Sequence, residues 1–163
     1  MDYNKQTWNK ATLNTVDIIN KVCEKVKYEA EQKSHKIEII AAGKVPSIYA
    51  DKSSIEQILI NILTNSIKYT PDGGLIRIYA GPVENRAYIK VIDNGIGIPQ
   101  KDLERIFERF YRVDKARSRK MGGTGLGLSI VKEMVDGNNG TIAIESKLNE
   151  GTEVTMTFPT TKE

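Results

Sequence analysis

Apolar and polar positions alternate along this chain with two distinct periods. From Thr15 to about Gln32 the residues Val16, Ile19, Val22, Cys23 and Val26 recur at helical spacing. Lys36 to Ala41 reads as a strand, and Ser47 to Ala50 as a short second one after Pro46. Asp51 suits a helix cap, and Ile55, Ile58, Leu59, Ile62, Leu63 and Ile67 follow it in the i, i+3, i+4, i+7 pattern of an amphipathic helix. Pro71-Asp72-Gly73-Gly74 closes that helix in a turn. Leu75–Ala80 and Arg86–Ile92 then alternate with period two, and a turn around Gly81-Pro82 would join them as a hairpin. The pattern predicts a short helix over Gln100–Phe107 and a third main helix from about Thr124 to Val135. Closing strands fall near Thr141–Ser146 and Thr152–Phe158, with a turn containing Asn149-Glu150-Gly151 between them. Residues 1–13 hold Trp8 and little periodicity, and read as a linker or the tail of a preceding element. This mixed order predicts an α/β fold: a two-layer sandwich in which a mixed sheet packs on three main helices. The boundaries that follow are a linker at 1–14 and one domain at 15–160.

Composition narrows the function. With 163 residues, the chain can bury roughly 70% of its unfolded surface in one core. Its 24 basic and 21 acidic residues leave a net charge of +3, too small a surplus to argue for nucleic acid. The basic residues concentrate between Arg105 and Lys120 instead. No apolar run approaches the eighteen or so residues needed to cross a bilayer. Cys23 is the single cysteine, on an apolar helix face, and reads as a core filler in a reducing compartment. His35, the single histidine, sits among polar neighbours and reads as a surface residue, which argues against histidine metal sites and most triads. Neither a Gly-x-x-x-x-Gly-Lys-Ser/Thr loop nor Gly-x-Gly-x-x-Gly spacing occurs.

Two glycine clusters carry the candidate chemistry, Asp93-Asn94-Gly95-Ile96-Gly97 and Gly123-Thr124-Gly125-Leu126-Gly127-Leu128. Glycines let backbone N–H groups approach anionic oxygens, and the start of a helix stabilises a phosphate. Asp93, at a strand end, could accept from an exocyclic amine such as adenine's, or merely close an Asx-turn. The second cluster could fold over a phosphate tail or be a plain connector. On the second helix Gln57, Asn61, Asn65 and Lys68 form one polar stripe. Asparagine is a mediocre helix former, so a ligand is one explanation of the stripe. Amide oxygens suit Mg²⁺ and Lys68 suits a phosphate, whereas hydrogen bonds to neighbouring loops are the alternative. Arg109, Arg112, Lys115, Arg117, Arg119 and Lys120 make residues 108–122 a cationic flap or an ordinary solvated loop.

Taken in order, these motifs resemble the ATP-binding catalytic domain of bacterial two-component sensor histidine kinases, within the Bergerat-fold ATPases (gyrase, Hsp90, histidine kinase, MutL). Asn61 to Tyr69 is similar to the N box and Asp93 to Gly97 to the G1 box. Phe107 to Arg112 is similar to the F box, and Gly123 to Leu128 to the G2 box. The run from Arg112 to Gly123 is similar to the lid of the WalK/VicK kinase type. The resemblance implies ATP and Mg²⁺ as cofactors, with Asn65 as main metal ligand and Asn61 assisting. It implies that Lys68 and Arg112 meet phosphate, that Tyr69 and Tyr111 pack near base or sugar, and that Asp93 reads the adenine amine beside Gly95 and Gly97. Backbone groups around Gly123, Gly125, Leu126, Gly127 and Leu128 would cradle phosphates, Thr152 would join the adenine end, and 108–122 would be the lid.

The same resemblance implies transfer of the γ-phosphoryl group to a histidine on a separate dimerisation domain, with a response regulator downstream. No acceptor helix is evident before residue 15. The expectation is a cytoplasmic, monomeric catalytic domain without nucleic-acid or direct membrane contact. Relatives that hydrolyse ATP carry Glu four residues before the metal-binding Asn; Asn61 stands there and cannot act as a base. That disfavours a self-contained ATPase. An anti-sigma-type serine kinase and a nucleotide-binding pseudokinase are the other rivals. A further departure is Asp136-Gly-Asn-Asn-Gly140, where many relatives carry a His, and which is expected to alter a turn.

Overall fold

The computed structural model describes residues 7–108 and 127–161. A five-stranded sheet runs in the order β2-β4-β5-β7-β6, from β2 (Lys36–Ala41), β4 (Leu75–Val83), β5 (Arg86–Asp93), β6 (Thr141–Lys147) and β7 (Gly151–Pro159). β2 pairs parallel with β4 and the other pairs are antiparallel, so the sheet is mixed as expected. Helices α1 (Thr15–Gln32), α2 (Lys52–Tyr69) and α4 (Leu128–Gly137) form the second layer, and α3 (Gln100–Leu103) is a single turn. Strict alternation on β5 buries Ala87, Ile89 and Val91 against the helices, and β4 and β7 supply Ile76, Ile78, Met156 and Phe158. From the helix side Ile19, Val22, Ile58, Leu59, Leu63 and Val131 meet them. Each of these side chains larger than alanine contributes about 1.5–3 kcal/mol through burial.

The ends of the helices follow from their caps. The Asn14 side chain accepts from the Asp17 N–H at 3.0 Å, and Asp51 from the Ser54 N–H at 3.3 Å, satisfying amides that have no partner within the helix. At the other end of α2 the Lys33 ammonium donates to the carbonyls of Ile67 at 2.7 Å and Lys68 at 3.1 Å. A cation there also opposes the negative end of the helix dipole. Burial lowers the Lys33 pKa, and the Asp72 charge opposes that shift.

Several local expectations are corrected. Residues 10–13, assigned no element from sequence, form β1 (Lys10–Leu13), antiparallel to β3 (Ile48–Asp51) in a two-stranded sheet. Trp8 explains the Gly137 position, because a Cβ there would run into the indole. The hairpin between β4 and β5 turns at Glu84-Asn85 rather than Gly81-Pro82, with Val83 opposite Arg86. Pro82 is tolerated because β2 pairs with β4 only as far as Ala80, so no neighbour on that side needs its missing N–H. The helix expected over residues 100–107 stops at Leu103, and a turn follows.

His35 is the clearest reversal. It is 8% exposed, not a surface residue, and its Nε2 lies 2.9 Å from the Thr70 carbonyl and 3.0 Å from that of Pro71. Carbonyls only accept, so Nε2 carries the proton. Cys23 is as expected: burial first, then the Glu24 charge, push its thiol up to about 11, so it stays protonated.

Candidate functional site

α2 presents Asn61 and Asn65 one turn apart, both half-buried, with Asn65 Nδ2 donating to Asn61 Oδ1 at 3.1 Å. This bond orients the pair and aims the Asn65 oxygen away from its neighbour. Lys68 is exposed one turn on, and Tyr69 packs partly against the core. The start of α4 faces this stripe. Gly127 adopts φ +63°, and a Cβ on it would lie 3.1 Å from Asn61 Nδ2. The N–H groups of the first turn of α4 and the amides of α2 therefore border one space, an arrangement suited to phosphate with a hard cation. Among the described residues no three His, Cys, Asp or Glu side chains converge on a metal position. A Mg²⁺ ion here would depend on amide and phosphate oxygens, which suits an ion that keeps few protein ligands.

Asp93 closes β5 and is 9% exposed. Its Oδ1 accepts from the Gly95 N–H at 2.9 Å and from the Thr152 N–H at 3.2 Å. Burial raises its pKa; hydrogen bonds from Gly95, Ser66 and Thr152 and the nearby His35 pull the other way. A carboxylate held this firmly by donors on three sides is an oriented acceptor, suited to an amine of a bound base.

The loop after Asp93 is pinned on all sides. The Asn94 side chain accepts from Leu75 N–H at 2.8 Å, and Ile96 N–H donates to the Tyr69 carbonyl at 2.9 Å. Asn149 N–H donates to the Ile96 carbonyl at 2.7 Å, and Ile98 N–H to Ser146 Oγ at 2.8 Å. Gly97, at φ +74°, passes so close to Lys147 that a Cβ would strike its carbonyl. Gly95 lies against Thr70 Oγ1, a fully buried hydroxyl with no hydrogen-bond partner among the described residues.

The structure thus gathers Asp93, Gly95 and Thr152 in one set of contacts, and Asn61, Asn65 and Gly127, which precedes Leu128, in another. Gly97 supports the loop from behind. Tyr111, Arg112, Gly123, Gly125, Leu126 and nearly all of the expected lid lie outside the described residues. Sequence reasoning missed Ser66, Ser146 and His35. Ser66 carries a readable signal, a buried hydroxyl on the apolar side of α2. The partners of Ser146 and His35 come from distant parts of the chain and leave no local pattern.

A mixed sheet with helices on one face, an amide-lined helix N-terminus and a buried strand-end carboxylate together define an α/β sandwich. Residues 50–162 match the model of the histidine kinase-, DNA gyrase B- and HSP90-like ATPases, and the chain belongs to that family. It is 52% identical over 111 residues to the sensor histidine kinase WalK of Bacillus subtilis (strain 168), covering 67% of this chain and 18% of that protein. It is 38% identical over 161 residues to the sensor protein kinase WalK of Staphylococcus aureus, covering 98% of this chain and 38% of the relative. The chain therefore spans well under half the length of these two relatives. Among solved structures it is similar to full-length ShkA in complex with AMPPNP, at 26% identity and a TM-score of 0.81, over 94% of this chain and 32% of that one.

Proposed function

We propose that this chain binds Mg-ATP and donates its γ-phosphoryl group to a histidine on a separate phosphoacceptor domain of a two-component sensor kinase. The observation that carries this reading is the pairing of two features on one fold: the Asn61–Asn65 amides beside the start of α4, and the buried Asp93 held with Thr152. The kinase names of the relatives and the ATP analogue bound by ShkA support it.

In this reading Asp93 accepts from the adenine amine, while Asn65, helped by Asn61, holds the cation. Mg²⁺ would supply neutralisation of the phosphate oxygens. Lys68 and, from the lid, Arg112 add positive charge near the phosphates, and Tyr69 and Tyr111 flank the base or sugar. The nucleophile is an imidazole nitrogen of the acceptor: its lone pair forms the N–P bond as the P–O bond to ADP breaks, and ADP leaves with that electron pair. Such transfer needs mainly positioning and charge neutralisation. Asn61 cannot deprotonate water, so hydrolysis is slow in comparison. A response regulator would take the phosphoryl group next. Dependence on ATP carries a cytoplasmic location with it, as the inner part of a membrane-bound sensor.

Calorimetric titration of Mg-ATP into the 163-residue chain tests this. A saturable heat that returns to baseline is expected. Sustained heat after each injection would mean turnover without an acceptor, and a self-contained ATPase would replace the kinase reading.

A further inference from the structure

We propose that Ser146 fixes the proton of the Thr152 hydroxyl, making the base end of the site a set of acceptors that selects a purine with an amino group at its 6-position. The inference rests on the nucleotide reading above and adds a specificity-determining positioning residue to it.

The argument is an inventory of protons. Ser146 Oγ has three neighbours at 2.8 Å: the Ile98 N–H, the Gly151 carbonyl and Thr152 Oγ1. A serine hydroxyl owns one proton and two lone pairs. The Ile98 amide can only donate, so it takes one lone pair. The Gly151 carbonyl can only accept, so it takes the proton. What remains for Thr152 is the second lone pair, and Thr152 must donate its own proton into it. The alternative gives the Ser146 proton to Thr152 and leaves two oxygens with facing lone pairs 2.8 Å apart at Gly151. Only the first assignment makes all three close contacts attractive.

Half-buried Thr152 then offers lone pairs toward the site. Its backbone N–H is also spent, on Asp93 Oδ1 at 3.2 Å. The Gly95 N–H and the Ser66 hydroxyl are likewise turned onto Asp93. Thr70, the other hydroxyl nearby, is 0% exposed and held against Gly95. These neighbouring donors are thus consumed or enclosed, and acceptors face outward. An exocyclic amine brings two protons to these acceptors, whereas a 6-oxo purine brings a single proton, on N1, and turns the lone pairs of its oxygen on the remaining acceptor. Ser146 touches no part of the base; it acts through Thr152.

The test compares ATP with inosine triphosphate, which carries an oxo group at that position, by calorimetric titration with Mg²⁺ into the full chain. Wild type should favour ATP by about tenfold or more, the scale of one mispaired hydrogen bond. In Ser146→Ala the Thr152 hydroxyl is released to donate to the 6-oxo group, so the ratio should narrow about tenfold. Ser146→Thr keeps the hydroxyl and should keep the ratio. Should Ser146→Ala fold poorly, Thr152→Val provides a second route: losing the acceptor oxygen should weaken ATP more than inosine triphosphate. Equal losses for both nucleotides in Ser146→Ala or Thr152→Val would reduce Ser146 to a loop prop and overturn the inference. Equal binding by wild type would overturn it too, while leaving the nucleotide reading intact. Binding of neither nucleotide to wild type would instead sink the nucleotide reading itself.

Discussion

The side chain of Asn138 joins the end of one helix to the beginning of another: its Oδ1 accepts from the Asp51 N–H at 2.7 Å while its Nδ2 donates to the Met134 carbonyl at 2.8 Å. Asp51 is the N-cap of α2 and Asn138 the C-cap of α4, and Asn138 is 0% exposed. The two helices that carry the site are therefore locked together at the end away from Gly127 and Asn61. An amide at this position both caps α4 and clamps α2.

Asn138→Ala should destabilise the fold by about 2–4 kcal/mol. It leaves the part-buried Asp51 N–H without a partner, takes from the Met134 carbonyl one of its two donors (the residue-138 backbone N–H at 3.2 Å remains) and opens a small cavity. Urea denaturation followed by circular dichroism measures this. A change below about 0.5 kcal/mol, the level of an ordinary surface substitution, would show that the clamp carries no energy.

Gly97→Ala tests the docking of the loop after β5. The residue has φ +74°, and an added methyl would strike the Lys147 carbonyl, so both conformation and space oppose it. The loss should reach about 3 kcal/mol or more, because neither the backbone at Gly97 nor that of the facing hairpin can yield cheaply. Nucleotide affinity should fall with it, since the same loop positions Gly95 against Asp93. An alanine variant as stable as wild type in thermal denaturation would mean that this loop is loosely held.

What sequence made legible, and what it did not, divides along one line. The helices α1 and α2 and the alternating strands were readable because burial of one face imposes a period that propensity and caps reinforce. Asp51 could be recognised as a cap and Asp93 as a strand-end carboxylate from neighbours within four residues. His35 was misread because its partners, Thr70 and Pro71, lie 35 and 36 residues away. β1 escaped notice for a similar reason: its four residues are paired with β3 but largely exposed, so no apolar period marks them. The role of Ser146 needed three contacts from separate segments. Periodicity reports which side of an element is buried, and hydrogen-bond partners across the fold leave no such trace.

Asp93→Asn should separate stability from binding. Because burial raises its folded-state pKa, the folded protein binds a proton at Asp93 more tightly than the unfolded chain does. Stability from this group is thus greatest at acid pH and falls as pH rises from its ordinary value of 3.8 through the raised one. An amide keeps an oxygen for Gly95 and Thr152 but cannot ionise. The variant should therefore be more stable than wild type at neutral pH, with the advantage vanishing in acid. Its affinity for ATP should fall about tenfold or more, as a charge-assisted acceptor becomes a neutral one. Denaturation curves at several pH values, with calorimetry at pH 7, read both effects. A neutral-pH stability below that of wild type would overturn the assignment of burial as the dominant influence.

Asn65→Ala tests the metal end of the site. Asn65 Nδ2 is committed to Asn61 at 3.1 Å, so the two amides are unequal: Asn61 receives that bond, and Asn65 directs its oxygen elsewhere. An oxygen oriented by its own nitrogen is the better hard ligand, because little side-chain freedom remains to be lost when the cation arrives. Alanine removes this oxygen and leaves water as an imperfect substitute. ATP should still bind through Asp93 and Thr152, but the gain in affinity on adding Mg²⁺ should shrink from its wild-type value to about none. Asn61→Ala should shrink it less, since Asn61 assists and Asn65 leads. Titrations of ATP with Mg²⁺ and with EDTA give the increment directly for each variant. An undiminished increment in Asn65→Ala would move the metal off α2, and a larger loss in Asn61→Ala would reverse the order of the two ligands.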